Sequence, residues 1–187
     1  MPKILPIITK ENKILITPAK LVAERDITGK KISDLIQSMQ LTLKNTPEGI
    51  GLAAPQVGSL WQVFIVDQEA LKFDPEKPLD PEAHQKKKRD YKYFVFINPQ
   101  ITKMSKKKTS QIEGCLSVPG VVGMVLRPEK ITIMARDETG RKFSRGAAGF
   151  FARVIQHECD HLEGILFIQR AQKLLPLPDK RDSESRL

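Results

Sequence analysis

The sequence contains little cysteine, histidine or tryptophan, and it has no long apolar run. Two cysteines among 187 residues allow one disulfide at most, which excludes a small scaffold held together by disulfides. No apolar stretch approaches the length of a membrane-spanning helix, so we expect no membrane association. The N-terminal segment, broken by Pro2 and Pro6, is too short for a secretion signal. We therefore expect a cytoplasmic protein with reduced thiols.

Negative charge is nearly absent from one segment of the chain. The formal net charge is +9, and the segment from Lys86 to Lys108 contains nine cations and a single anion, Asp90. Such a segment is either a set of solvated surface loops or an electrostatic footprint for an RNA-rich partner. It lacks the aromatic and glycine pattern of a known nucleic-acid-binding module, and both interpretations stay open.

The few histidines are concentrated in one motif near the C-terminal end. Two of the three histidines lie in the pentad His157-Glu158-Cys159-Asp160-His161. On a helix, histidines four residues apart project from one face, where both imidazoles can reach one metal ion. The Glu between them is placed to accept a proton from water at that metal. Cys159 points away from the ligand face and is interpreted as a packing thiol.

The length suggests one domain covering residues 1–187. Apolar residues at helical spacing predict a helix from Lys31 to Lys44 and a second helix around the pentad. Residues 68–90, rich in charge and proline, predict an inserted surface loop, and residues 173–187 predict a polar tail. Strands are predicted at Trp61–Val66, Tyr91–Ile97, Val121–Leu126 and Lys130–Ala135. Asp137–Gly140 resembles a hairpin turn that leads into a further strand at Lys142-Phe143. This order predicts an α+β fold, with antiparallel strands packed around a central metal-binding helix.

Two histidines do not complete a catalytic metal site, which generally has three protein ligands and one open position. The carboxylates downstream of the pentad lie in the polar tail and are poor candidates. Upstream, His84 lies in the charged insert, whereas Cys115 lies in an apolar segment beside Gly114. A thiolate binds late first-row divalent metals strongly, so Cys115 is the favoured third ligand and His84 is the alternative.

Three segments resemble the motifs of the peptide deformylases, in the same order along the chain. They are Gly49–Gly58 (GIGLAAPQVG), Glu113–Ser117 (EGCLS) and Gln156–Leu162 (QHECDHL). Three motifs together are far more specific than the pentad alone. The resemblance extends from about residue 30 to about residue 170 and implies a metal-dependent hydrolase. Its expected reaction removes the N-terminal formyl group from the initiator methionine of nascent polypeptides in a bacterial-type cytoplasm.

The resemblance also implies a role for particular residues. One divalent ion per chain, expected to be Fe(II) but replaceable by Zn, Ni or Co in purified protein, would be bound by Cys115, His157 and His161. Catalysis is assigned to Glu158 as the base, and to the Gln56 amide and the Leu116 backbone N–H as donors to the oxyanion. Substrate contacts are expected from Gly49, Ile50, Gly51 and Arg127. Walls for the methionine side chain are expected from Phe150, Val154 and His157.

The chain also departs from the family pattern. The tail after Gln172 is short and contains two prolines, so a long C-terminal helix is not expected. If the protein contacts the ribosome, the basic segment 86–108 is the alternative footprint. Two other interpretations are a metallopeptidase or deacylase for another N-acyl amide, and an inactive RNA-binding relative. The second should have lost Glu158 or Cys115, and the chain retains both.

Overall fold

The computed structural model describes residues 1–72 and 92–177. These residues form two α-helices, α1 (Lys30–Lys44) and α2 (Gly149–Leu162), together with several short 3-10 turns. The strands of the described residues are β1 (Gly51–Ala53), β2 (Val63–Asp67), β3 (Tyr93–Met104), β4 (Lys108–Cys115), β5 (Val118–Pro128), β6 (Lys130–Arg136), β7 (Lys142–Ala148) and β8 (Ala171–Pro176). In this part of the chain, neither helix is long and apolar enough to cross a membrane.

The strands form two antiparallel sheets. The larger sheet has the order β1-β2-β3-β6-β7, and the smaller has the order β4-β5-β8. Helix α2 packs against the larger sheet and also contacts β5 of the smaller one. The predicted α+β fold, with antiparallel strands around a central helix, is confirmed.

Strand β2 shows how the layers are held together. All five of its residues are buried, because both faces of this strand are covered. Val63 and Ile65 belong to the apolar cluster beneath α1, whereas Phe64 and Val66 belong to the cluster beneath α2. Alternate side chains of a strand point to opposite faces, so one short segment anchors both helices to the sheet.

The strand prediction missed three elements, β1, β4 and β8. Residues 173–176, expected to begin a polar tail, instead form most of β8, which pairs with β5. Gln68–Leu71, the start of the expected insert, form a 3-10 turn with Ala70 buried. Residues 73–90 of the insert, His84 included, and the tail from residue 178 lie outside the described residues.

Candidate metal centre and active site

Helix α2 places the two histidines of the pentad side by side. It begins at Gly149, whose φ of 58° is in the left-handed region that favours glycine. Phe151, Ile155 and Leu162 are buried in the apolar cluster between α2 and the larger sheet. The rings of His157 and His161 therefore lie on one face of the helix, with centroids 4.9 Å apart.

Cys115 completes a group of three metal-ligating side chains. It is the last residue of β4, and its Sγ lies 3.2 Å from Nε2 of His161. Ligand atoms of Cys115, His157 and His161 all lie within 4.8 Å of one another. A thiolate with two imidazoles is a donor set that suits late first-row divalent metals. These residues therefore fit a single metal ion.

Glu113 fixes the orientation of His157. Its Oε2 lies 3.1 Å from Nδ1 of His157. Burial raises the pKa of Glu113, but hydrogen bonds from Arg127 and His157 outweigh burial and lower the pKa to about 2. The carboxylate is therefore ionised and accepts a hydrogen bond from the Nδ1–H of His157. This leaves Nε2 of His157 for a metal. A carboxylate behind a ligating histidine is a recurrent way of fixing the imidazole tautomer.

The two imidazoles hold protons differently. Burial lowers the pKa of His161 well below its ordinary value, so this imidazole is neutral. Burial also lowers the pKa of His157, but hydrogen bonds with Cys115 and Glu113 outweigh it and raise the pKa to about 10. A metal-bound imidazole must give up the proton from its ligating nitrogen, so metal binding here would release a proton.

Glu158 is buried beside these ligands with one unpaired oxygen. Its Oε2 has no hydrogen-bond partner among the described residues. Burial is the main reason that the pKa of Glu158 rises to about 7. A carboxyl group with a pKa near neutrality can both accept and return a proton in one reaction cycle.

Gly51 provides the space for this carboxylate. A Cβ built on Gly51 would lie 2.4 Å from Oε1 of Glu158, which is closer than non-bonded atoms can approach. The edge strand β1 therefore touches the carboxylate through its backbone.

The Gln56 amide lies opposite the helix on a tight turn. Its Oε1 accepts a hydrogen bond of 2.8 Å from the backbone N–H of Ala53, so Nε2 must face the other way. Nε2 lies 3.6 Å from Sγ of Cys115 and 3.2 Å from Oγ of Ser117. Gln56 is only 2% exposed, and its amide is held as a donor directed at the thiol side of the site.

The N-terminal segment holds two of the motifs in place. The N–H of Ile8 donates to the carbonyl of Gln56 at 2.8 Å, and the N–H of Lys10 donates to the carbonyl of Ser117 at 2.9 Å. Leu116 lies between Cys115 and Ser117 in the turn that joins β4 to β5. The segment around Ile8 and Lys10 therefore connects the loops of the first and second motifs.

These residues surround a cavity of about 600 Å³. Gly49, Ile50 and Gly51 line one side, while Cys115 and Leu116 line another. Helix α2 contributes Phe150, Val154 and His157, as expected for the walls of an apolar pocket, together with Arg153 and Glu158. The cavity thus reaches from the ligand cluster to the edges of β1 and β4.

Arg127 does not line this cavity, contrary to the expectation of a substrate contact. It is 4% exposed. Its guanidinium donates to Glu113 at 2.6 and 2.9 Å and to Asp160 at 2.8 Å. It belongs instead to a buried ionic cluster, which we define as Glu113, Arg127, Arg153 and Asp160. Arg127 is thus the partner of Glu113 that the sequence did not reveal.

The second cysteine of the described residues is not part of the ligand group. Cys159 packs against the apolar cluster between α2 and the larger sheet, and burial raises the pKa of its thiol. Its predicted role as a packing thiol is confirmed.

Comparison with known proteins agrees with this site. A model of the polypeptide deformylase family matches residues 4–176. The peptide deformylase of Chlorobaculum parvum is 40% identical over 170 residues, which cover 91% of this chain and 81% of that protein. The peptide deformylase of Synechocystis is also 40% identical, over 92% of this chain and 82% of that protein.

Solved structures give the same result. The class I type b peptide deformylase from Acinetobacter baumannii, bound to Met-Ala-Ser, is 32% identical with a TM-score of 0.75, covering 91% of this chain and 99% of that one. A plant peptide deformylase is 35% identical with a TM-score of 0.74, covering 90% of this chain and 81% of that one. This chain therefore belongs to the peptide deformylase family, the metal-dependent hydrolases that remove the N-terminal formyl group from nascent peptides.

Proposed function

We propose that this chain removes the formyl group at a centre formed by Cys115, His157 and His161, with Glu158 as the proton carrier. The observation that carries the proposal is the meeting of these three ligand atoms within 4.8 Å, beside a cavity that Cys115, His157 and Glu158 line. A divalent ion bound there would supply Lewis acidity and lower the pKa of water to around 7.

Glu158 moves the proton in this proposal. Its Oε2 has no other partner among the described residues, and its pKa of about 7 favours proton exchange at neutral pH. The carboxylate accepts a proton from the attacking water and returns it to the departing amine. Burial keeps bulk solvent from competing for that proton, because Glu158 is 4% exposed.

Gln56 and Leu116 stabilise the charge that develops on the formyl oxygen. The Gln56 amide is already oriented by Ala53, so its donor does not have to reorganise during the reaction. The Leu116 N–H is the second proposed donor, from the turn after Cys115. Neither donor carries a charge of its own, so neither competes with the metal for the carbonyl oxygen.

The substrate is proposed to be an N-formylmethionyl peptide in extended form. Gly49, Ile50 and Gly51 line the cavity, and among the described strands β1 pairs with β2 alone, at the edge of the sheet. An extended peptide can lie along such a strand edge. Phe150 and Val154 would contact the methionine side chain. The Met-Ala-Ser complex of the Acinetobacter baumannii relative supports this class of ligand.

Formate release from formyl-Met-Ala-Ser by the metal-loaded protein tests the proposal. Glu158→Ala should abolish turnover yet keep the metal, whereas Cys115→Ser should lose most of the metal. No formate release by the loaded wild-type protein would overturn the function. Unchanged metal occupancy in Cys115→Ser would return His84 to consideration as the third ligand.

We propose Fe(II) as the natural metal, on family resemblance. Fe(II) binds more weakly than Co, Ni, Cu or Zn in the Irving–Williams order, so purification in air would favour exchange for one of these metals. Metal analysis of protein prepared without oxygen should find iron as the main metal. Zinc or nickel in protein prepared in this way would contradict the proposal.

We also propose a cytoplasmic location, next to ribosomes that release formylated chains. A reducing compartment suits the free thiol of Cys115. A ribosome contact would use the exposed lysines at the end of β3, in the following turn and at the start of β4, namely Lys103, Lys106, Lys107 and Lys108. Cosedimentation with ribosomes should weaken steeply as salt rises. Cosedimentation that is insensitive to salt, or absent at low salt, would overturn this contact.

A further inference from the structure

Arg153 lies on the cavity face of α2, four residues before His157. It lines the cavity with Phe150, Val154 and His157, at helical spacings of three and four residues. It is nevertheless an arginine that is only 4% exposed. A buried guanidinium at the wall of an apolar pocket needs a physical reason, because an unpaired charge there would be costly.

The hydrogen bonds of Arg153 provide that reason. Its guanidinium has five N–H donors, and five acceptor contacts account for them. The contacts are Oε1 of Gln111 at 2.8 Å, Oε1 of Glu113 at 2.7 Å, the carbonyl of Val125 at 2.9 Å, and the carbonyl and Oγ1 of Thr109 at 2.8 and 3.4 Å. All five acceptors belong to β4 or β5, so the charged end is bonded to the smaller sheet. Because Arg153 also lines the cavity, we infer that its methylene stem is the part that does so.

One of these contacts leads to the metal centre. Arg153 donates to Oε1 of Glu113, and Oε2 of the same carboxylate lies 3.1 Å from Nδ1 of His157. Arg127 contacts both oxygens of Glu113 from the other side. The carboxylate is thus clamped between two arginines and can turn toward neither solvent nor a different partner. The position of the His157 ring depends on that clamp.

We propose that Arg153 is a positioning residue that links the substrate side-chain pocket to the metal ligand His157. Its stem forms part of the pocket wall, and its guanidinium holds Glu113 against the imidazole. This inference rests on the metal centre proposed above and extends it.

Metal release is the first test, because it does not depend on turnover. Protein loaded with Co(II) is mixed with excess chelator, and loss of the visible cobalt absorption is followed over time. Arg153→Met keeps an apolar side chain but removes the guanidinium. This variant should release cobalt about 10- to 100-fold faster than wild type, as for other partners of metal ligands. Arg153→Lys keeps one charge-assisted donor, so its rate of cobalt release should lie between those of wild type and Arg153→Met.

Arg170→Gln is the matched control. Arg170 bonds Asp160 at 2.6 and 2.7 Å and so joins the outer end of the same ionic cluster, but it is half-exposed and does not contact Glu113. Cobalt release from Arg170→Gln should stay within about twofold of wild type. The proposal would be overturned if Arg153→Met released cobalt at the wild-type rate, or if the control released cobalt as fast as Arg153→Met. If Arg153→Met fails to fold, cobalt release from Arg153→Lys at the wild-type rate would overturn the proposal.

Steady-state kinetics separate positioning from simple wall contact. With formyl-Met-Ala-Ser, Arg153→Met should lower kcat while KM stays within about twofold, because the pocket keeps an apolar wall. A rise in KM with unchanged kcat would mean that Arg153 only lines the pocket, and would overturn the inference. If wild type releases no formate while Arg153→Met still loses cobalt faster, the proposed function fails and the positioning role stands.

Discussion

At the scale of single residues, the site depends on side chains that are absent as much as on those that are present. Gly51 lies directly against the Glu158 carboxylate, so the wall of the active site is backbone at this point. Gly49 lacks a side chain for a different reason, because a Cβ there would lie 2.5 Å from Cδ1 of the buried Leu43. The missing side chain of Gly49 thus leaves room for core packing, whereas that of Gly51 leaves room for the Glu158 carboxylate.

Replacing Gly51 should therefore impair catalysis without removing the metal ligands. In Gly51→Ala, the added Cβ would lie 2.4 Å from Oε1 of Glu158, so the carboxylate must move. We expect kcat/KM to fall about 100-fold, which is a typical loss for a displaced general base. Gly146→Ala is the control, because a Cβ there would meet no atom of the described residues within 4 Å. Full activity of Gly51→Ala would contradict the assigned position of Glu158.

Glu158 should also set the acidic limb of the pH profile. As a base it must be ionised, and burial raises its pKa to about 7. A bound divalent cation would oppose the effect of burial, so the logarithm of kcat/KM should fall with unit slope at a pH between the ordinary glutamate value of 4.5 and about 7. A profile measured with metal-saturated enzyme checks this, and a flat profile down to pH 4 would refute it.

The sequence predicted the residues whose chemistry is local and missed those whose partners are distant. The pentad could be interpreted because four-residue spacing alone places both histidines on one helix face. Cys115 emerged from composition and the motif around it. The family resemblance assigns Arg127 to the substrate, and no sequence pattern shows that it pairs instead with Asp160, 33 residues away. Arg153 was missed for the same reason.

At the scale of elements, β4 shows why a strand can escape prediction. Its inward-facing residues are polar, namely Thr109, Gln111 and Glu113, while Ile112 is 58% exposed. In most strands apolar side chains face inward and polar side chains face solvent, and β4 has the opposite arrangement. The polar residues face inward because they accept hydrogen bonds from Arg153. Strands with a conventional buried face, such as β6, were predicted nearly to their ends.

The ends of α2 differ in what surrounds them, which leads to a prediction on stability. Gly149 and Gly164 both have positive φ, at 58° and 74°. In the part of the chain that the structure describes, a Cβ on Gly149 would meet no atom within 4 Å, whereas a Cβ on Gly164 would lie 2.8 Å from the backbone carbonyl of Ile16. Gly149→Ala should lose about 1 kcal/mol of unfolding free energy, from backbone strain alone.

Gly164→Ala should lose about 1 to 3 kcal/mol more, because the backbone of Ile16 must move to relieve the overlap. Urea unfolding of both variants, followed by circular dichroism, checks the difference. Equal losses would mean that the turn after α2 has room that the structure does not show.

At the scale of the whole molecule, the buried ionic cluster joins the smaller sheet to α2. Glu113 on β4 and Arg127 on β5 meet Arg153 and Asp160 on the helix. Apolar packing fixes α2 to the larger sheet, whereas charged hydrogen bonds fix it to the smaller one. Such a junction depends on the ionisation of Glu113.

Acid should therefore weaken this junction over a definite pH range. The pKa of Glu113 is lowered from 4.5 to about 2 in the folded protein, so its contribution is present above pH 4.5 and is lost as pH falls toward 2. At neutral pH this contribution is about 3 kcal/mol. Glu113→Gln should be less stable than wild type by an amount of this order at pH 7, and the gap should narrow at pH 3.

Urea unfolding at both pH values measures that gap. Glu129→Gln is the control, because Glu129 pairs with Lys107 at the surface and should differ little from wild type at either pH. A gap for Glu113→Gln that is unchanged at pH 3 would show that its ionisation does not stabilise the fold.

The motifs that meet at the metal centre lie far apart in the chain, and this separation affects the order of folding. The Gln56 amide and the Cys115 thiol are 59 residues apart in the chain, and Cys115 and His161 are 46 apart. Contacts between such distant segments require large loops to close, which is slow compared with helix formation. The pentad can become helical early, but high-affinity metal capture must await closure of these loops. Acquisition of the metal is therefore a kinetic marker for the completion of folding.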